Sequence, residues 1–134
     1  MLSAMLFSAS FALPLPPGMV INHLPAADRR YVGSPSLCRW GADLIACHDE
    51  FGPGSSEKKL GVTRLFLSSD QGTSWRPLAV IQGAFWSTLF VHQNSLYLLG
   101  TDREYGRLVI RRSGDGGRTW TEPKDKKTGL LRDD

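Results

Sequence analysis

An all-β fold built from two consecutive four-stranded antiparallel units is what this 134-residue sequence predicts, and three observations carry that expectation. Glycine (14) and proline (8) are frequent enough to punctuate the chain with turns and to argue against a helical bundle. An eight-residue pattern recurs: SSDQGTSW at 68–75 and SGDGGRTW at 113–120 both read Ser-x-Asp-x-Gly-x-Ser/Thr-Trp, 45 residues apart. Around each copy the apolar residues fall into short strand-length runs and not into helical stripes.

The elements follow in order. The first unit has runs at Ser36–Arg39, Leu44–His48, Thr63–Leu67 and Trp75–Ile81. The second has Thr88–His92, Leu96–Leu99, Leu108–Arg112 and Trp120–Glu122. Gly41-Ala42-Asp43 and Gln93-Asn94-Ser95 supply the first turn of each unit, and the repeated motif supplies the last. Within the motif, Asp70 and Asp115 can turn their carboxylates onto backbone N–H groups, with Ser68 and Ser113 adding a second side-chain cap. Gly72 and Gly117 accept positive φ, and Trp75 and Trp120 open the next strand with a large ring to bury. A calcium loop would need more oxygen ligands at alternate positions than these eight residues provide.

Four antiparallel strands repeated at this interval is the pattern of a β-propeller blade. The expected organisation is a leader or extended segment over 1–30 and blades over 31–83 and 84–123. Residues 124–134 would then start a connection to a missing third blade. Propellers close with roughly four to eight blades, so two leave an incomplete ring. The sequence therefore reads as the N-terminal piece of a larger protein, or as a chain that finds its other blades elsewhere.

Composition excludes several classes. Lys+Arg 16 against Asp+Glu 13 leaves +3, too small an excess for a nucleic-acid footprint. No apolar run reaches the ~20 residues of a transmembrane segment. Two cysteines make no disulfide framework, no Cys/His spacing suits a metal, and nothing calls for a cofactor. Cys38 and Cys47 would face each other only across a four-residue turn, so they read as small buried hydrophobes. The stretch MLSAMLFSASFALPLPP (1–17) has the apolar character of an export signal and small residues at Ser10-Phe11-Ala12, but no basic start. A secreted or periplasmic location and a truncated or mis-assigned start both account for it.

The paired motifs resemble the Asp-box, or BNR repeat, of the sialidase superfamily of six-bladed propellers. GSPSL (33–37), LIACHDEFGPGS (44–55), FWSTLFVH (85–92) and YLLGTDREYG (97–106) are similar to bacterial sialidase-like sequences. Such a resemblance implies a glycoside hydrolase acting on glycans of the sialic-acid type, with a carbohydrate as partner. It also implies three substrate-binding arginines, a tyrosine nucleophile with its glutamate, and an aspartate acid/base. Gly33 stands where the family's first arginine would be, and the nucleophile, its glutamate and the other arginines would belong to later blades. Asp-boxes also occur in propellers that are not sialidases. A non-catalytic propeller that binds glycans or a protein partner, and an inactive product of a broken reading frame, are the competing readings.

Within the sequence, Asp49 is the candidate acid/base, with a turn-capping carboxylate as its bland alternative. The edge opposite the motifs should gather His48, Asp49, Phe51, Trp86, Ser87, Arg103, Glu104 and Tyr105, aromatic faces for pyranose rings with charged groups for hydroxyls and carboxylates. The competing roles are inter-blade core for Trp86 and Tyr105, and a solvated ion pair for Arg103 and Glu104.

Overall fold

A computed structural model describes residues 18–132, so the leader-like stretch over 1–17 lies outside the described residues. A 3-10 turn at Ala26–Asp28 precedes eight strands: β1 (Tyr31–Trp40), β2 (Asp43–Phe51), β3 (Val62–Ser68), β4 (Arg76–Gln82), β5 (Phe85–His92), β6 (Ser95–Thr101), β7 (Leu108–Ser113) and β8 (Leu130–Arg132). They form two four-stranded antiparallel sheets, β1-β2-β3-β4 and β5-β6-β7-β8, which do not close into a barrel. Among the described residues no helix is long and apolar enough to cross a membrane.

Strand chemistry explains the register. Trp40 pairs with Asp43 across a two-residue turn, which puts Cys38 opposite Ile45 and Cys47 opposite Ser36. Both thiols are therefore free, and burial pushes them up, Cys38 to about 11 and Cys47 to about 12. Pro77 sits in β4, the outermost strand, where a missing N–H costs no ladder bond.

Alternation then builds one core between the sheets. Ile45, Cys47, Leu65 and Leu67 of the first sheet meet Leu89, Leu96 and Leu98 of the second, with Trp40, Leu78 and Trp120 packed around them. Burying each large aliphatic side chain contributes about 1.5–3 kcal/mol. The innermost strands β1 and β5 pack together, and the Leu89 N–H donates to Ser36 Oγ at 2.9 Å. Arg111 of β7 adds a second tie: its guanidinium donates to the carbonyls of Gln82 at the end of β4, of Gly83 just after it, and of Thr121 beyond β7.

Register also separates the two edges of the sheets. Leu44 pairs with Ser68 and Leu96 with Ser113, so the β1–β2 and β5–β6 turns and both repeated motifs share one edge. The β2–β3 loop, the β4–β5 connection and the β6–β7 loop share the other. There the Gly61 N–H donates to the Asp102 carbonyl (2.9 Å) and the Gly83 N–H to the Gly61 carbonyl (2.8 Å).

The fourth strand of the second sheet differs from expectation. Thr121 pairs with Arg112 as the motif predicts, its N–H donating to the Arg112 carbonyl at 3.0 Å. The chain then leaves the sheet, because the Asp125 carboxylate caps the amides of Lys127 and Thr128 while Thr128 Oγ1 accepts from the amides of Lys124 and Asp125. It returns at Leu130–Arg132, with Leu130 opposite Val109. The fourth strand of the second sheet is thus Leu130–Arg132 and not Trp120–Glu122.

Candidate functional site

The repeated motifs are closed hydrogen-bond circuits. Ser68 Oγ donates to Asp70 Oδ1 (2.8 Å) and accepts the Gly72 N–H (2.8 Å), while Asp70 accepts the Ser74 N–H (2.9 Å) and hydroxyl (2.6 Å). Ser113, Asp115, Gly117 and Thr119 repeat the pattern at 2.8, 2.8, 3.0 and 2.6 Å. Each tryptophan closes its turn by donating its indole N–H to the glycine carbonyl, Trp75 at 3.2 Å and Trp120 at 2.9 Å. The Ser74 hydroxyl and amide hold the Asp70 carboxyl down at about 2; Thr119 does the same for Asp115, more strongly. The Ser and Asp side-chain oxygens of both motifs thus bond donors of their own turn.

The opposite edge carries a row of rings. Tyr31 stacks on Phe51 (centroids 5.2 Å apart, 2° between planes), and Phe51 meets Phe85 edge-on at 5.2 Å. Phe85 lies 5.1 Å from Trp86, which meets Tyr105 edge-on at 5.5 Å and 85°. Phe85 is buried, while Tyr31 (62%), Trp86 (44%) and Tyr105 (75%) are open to solvent. The row spans both sheets. Beside it, a cleft of about 280 Å³ is lined by Phe51, the β2–β3 loop with Lys59, and Glu104.

Backbone strain presents this row. Phe85 pairs with Thr101 and Thr88 with Leu99, so Trp86 and Ser87 together face Gly100 in a β-bulge. A Cβ on Gly100 would lie 2.4 Å from the Phe85 carbonyl oxygen, so the bulge closes only over glycine. Trp86 takes φ +49°, a left-handed conformation costing roughly 1–2 kcal/mol for an L-residue. Strand β1 has the same bulge, with Ser34 at φ +50° in the equivalent place.

Buried carboxyls organise the loops. Asp102 accepts from Arg103 Nε and Nη2 (3.1 Å each) and from the Arg107 N–H (2.9 Å) and Nε (2.8 Å), which shapes the turn carrying Tyr105 at its tip. Burial would raise this carboxyl, but the two arginines and the Arg107 amide hold it below its ordinary value. Glu50 is likewise enclosed and held down, despite the burial cost, by Arg64 (2.5 Å) and Arg30.

Of the sequence-predicted residues, the structure brings Phe51, Trp86 and Tyr105 together, with Glu104 on the cleft wall beside them. His48 departs from the grouping. Successive strand residues face opposite ways, so its ring stacks on Phe66 at 5.3 Å and meets Asn22 Nδ2 at 2.9 Å on the outer face of the first sheet. Ser87 is buried in the bulge beneath the row, and Arg103 is paired with Asp102 and not with Glu104. Asp49 is fully enclosed: Oδ1 lies 2.5 Å from Thr63 Oγ1, and Oδ2 accepts the Trp86 N–H at 2.7 Å. Tyr31, Phe85, Thr63 and Asp102 were not foreseen; the Tyr31↔Phe51 pairing follows from the β1–β2 turn only once the bulge is known. Among the described residues no cluster of histidine, cysteine or carboxylate side chains could hold a metal ion.

No family profile and no curated protein matches this sequence. Among solved structures, a sialidase from Trypanosoma rangeli matches with a TM-score of 0.48 and 19% identity, over 60% of this chain. The chain spans 12% of that protein's length.

Proposed function

We propose that this chain supplies two adjacent blades of an Asp-box β-propeller of the sialidase superfamily, with domains at 31–83 and 84 onward, and that its loop edge is part of a glycan-binding surface. The observation that carries the reading is the ring row, which crosses both sheets at the edge opposite the two Asp-boxes and ends in the exposed pair Trp86–Tyr105. Exposed aromatic faces bind the C–H faces of pyranose rings, while charged groups beside them, here Arg103 and Glu104, suit hydroxyls and carboxylates.

Recognition is favoured over turnover by two features. A side chain at Gly33, where the family's arginine would stand, would begin 2.9 Å from the Phe51 ring. Asp49, the candidate acid/base, has both oxygens engaged inside the protein. Glycosyl transfer needs an acid and a nucleophile flanking one anomeric carbon, and groups that act as a unit fail together.

The test pairs a binding and a turnover measurement on the purified chain. Saturation-transfer NMR with sialylated and neutral oligosaccharides should show contacts that Trp86→Ala and Tyr105→Ala each weaken, while a fluorogenic sialoside is not hydrolysed above background. Absence of binding to any glycan would refute the surface. Turnover abolished by Asp49→Ala would restore the acid/base role and refute the preference for recognition.

A further inference from the structure

We infer that Asp49 is a neutral carboxylic acid in the folded protein and acts as the positioning residue that holds Trp86 in its left-handed backbone conformation. The inference goes beyond glycan binding and uses that reading only for its consequence: if the loop edge binds sugar, Asp49 sets the geometry of the exposed ring.

Hydrogen accounting carries the argument. The Thr63 hydroxyl has one hydrogen to give. Thr63 Oγ1 nevertheless lies within hydrogen-bond distance of two oxygens, Asp49 Oδ1 at 2.5 Å and the Ala84 carbonyl at 2.9 Å. The carbonyl cannot donate, and an ionised carboxylate cannot either. With Asp49 ionised, one of these two contacts has no hydrogen in it. With Asp49 protonated on Oδ1 every contact is satisfied: Oδ1–H donates to Thr63 Oγ1, and the Thr63 hydroxyl donates to the Ala84 carbonyl. The Trp86 N–H donates to Oδ2, which keeps its lone pairs. The chain of bonds runs from β2 through β3 to the β4–β5 connection and back to the first bulged residue of β5.

The surroundings agree with a neutral acid. Asp49 and Thr63 are fully buried, and among the described residues no arginine or lysine forms an ion pair with the carboxyl, unlike Glu50 and Asp102. Burial is the largest influence and pushes the Asp49 carboxyl above its ordinary value, against the Thr63, Trp86 and Ser34 hydrogen bonds and the neighbouring His48. The groups that face it are Ser34 from β1, Thr63 from β3 and the Trp86 amide from β5, with His48 and Cys47 as the titratable neighbours on its own strand. At the matching place in the second sheet stands Thr101, whose hydroxyl reaches the Phe85 carbonyl at 3.4 Å, so an uncharged donor serves there too.

The experiment uses isotope-labelled chain, with Asp49→Asn and Asp49→Ala. Asparagine can place its NH2 toward Thr63 and its oxygen toward the Trp86 amide, reproducing the neutral acid; alanine can do neither. In the wild type, the Asp49 side-chain 13C resonance should sit at the carboxylic-acid position through neutral pH. The Asn variant should keep the Trp86 amide shift and the Trp86–Tyr105 ring contacts, and the Ala variant should lose both. An ionised Asp49 resonance at neutral pH overturns the protonation, whatever the variants do. An Asn variant that loses the Trp86 signature as completely as alanine overturns the positioning role. Should Asp49→Ala fail to fold, the wild-type resonance and the Asn variant still decide. Loss of sugar binding with these signals intact would remove the glycan reading and leave this one standing.

Discussion

Removing one oxygen from the second motif, Ser113→Ala, tests the hydrogen-bond circuit directly. Ser113 Oγ is enclosed, accepts the Gly117 N–H at 2.8 Å and donates to Asp115 Oδ1 at 2.8 Å. Alanine leaves the Gly117 N–H unpaired in a buried turn, a loss of about 1–3 kcal/mol. With a urea dependence of roughly 1–3 kcal/mol per molar, the unfolding midpoint should fall by roughly 1 M, measured at low protein concentration. Exchange of the Gly117 amide with solvent should quicken in parallel. Ser68→Ala provides the internal comparison. Gly72, its partner, is only half-buried where Gly117 is buried, so water can replace the lost oxygen and the cost should be smaller. The two sites share no partner, so the double variant should be additive to within about 0.5 kcal/mol. Equal losses, or a Ser113→Ala effect within about 0.5 kcal/mol of zero, would refute the reasoning that burial makes this oxygen indispensable.

Three further outcomes are expected. Arg111→Met strips donors from the carbonyls of Gln82, Gly83 and Thr121 and should cost about 1–3 kcal/mol, with faster amide exchange along the β4–β5 connection; unchanged exchange would sink the inter-sheet tie. Asp70 has a folded value of about 2 against an unfolded one near ~3.9, so its stabilisation is present above the unfolded value and is lost as pH falls through about 2. Asp70→Ala should flatten the urea midpoint over that window, and an undiminished acid slope would count against it. The outer face of the first sheet exposes Val32, Leu37 and Val80 around His48 and Phe66, and a hydrophobic dye should bind it strongly, whereas no dye signal would show this face already covered.

The parts of the fold that local chemistry sets were legible in the sequence. Seven of the eight strands overlap the apolar runs, β1 and β5 starting earlier than expected because each continues through a bulge; two-residue turns and the motif fix where β2, β4 and β6 begin. The eighth was misplaced because its register depends on Asp125, whose capping of Lys127 and Thr128 reads in sequence only as a polar tail. That Phe51, Trp86 and Tyr105 lie at one edge follows from topology, since a residue's place at a strand end or loop determines which edge it reaches. Side-chain direction was not legible where a bulge intervenes. One extra residue moves all that follows to the other face, which is why Ser87 is buried and Trp86 exposed.

The two edges of the sheets solve opposite problems with the same kind of group. The motifs lie 45 residues apart, yet the equivalent bulges at Ser34 and Trp86 lie 52 apart. The difference falls at the loop edge, where Asp49 to Thr63 is a longer excursion than Thr101 to Leu108. A turn whose every donor is satisfied by its own side chains tolerates no insertion, whereas a loop projecting beyond the last ladder pair does. At the motif edge, exposed Asp70 and half-buried Asp115 fold the turn upon itself. At the loop edge, buried Asp49 and Asp102 instead hold backbone that carries an exposed ring, Trp86 at φ +49° and Tyr105 at φ +51°. In each sheet one carboxyl therefore closes the frame and a second aims an aromatic side chain outward. Trp86 and Tyr105 belong to one sheet and meet edge-on at 5.5 Å, and Ser34 takes the same left-handed backbone in the matching bulge of β1, so the conformation at Trp86 belongs to the bulge itself. What the second sheet adds is the residue type: its bulged position carries an indole ring, 44% exposed, where the first sheet carries a serine.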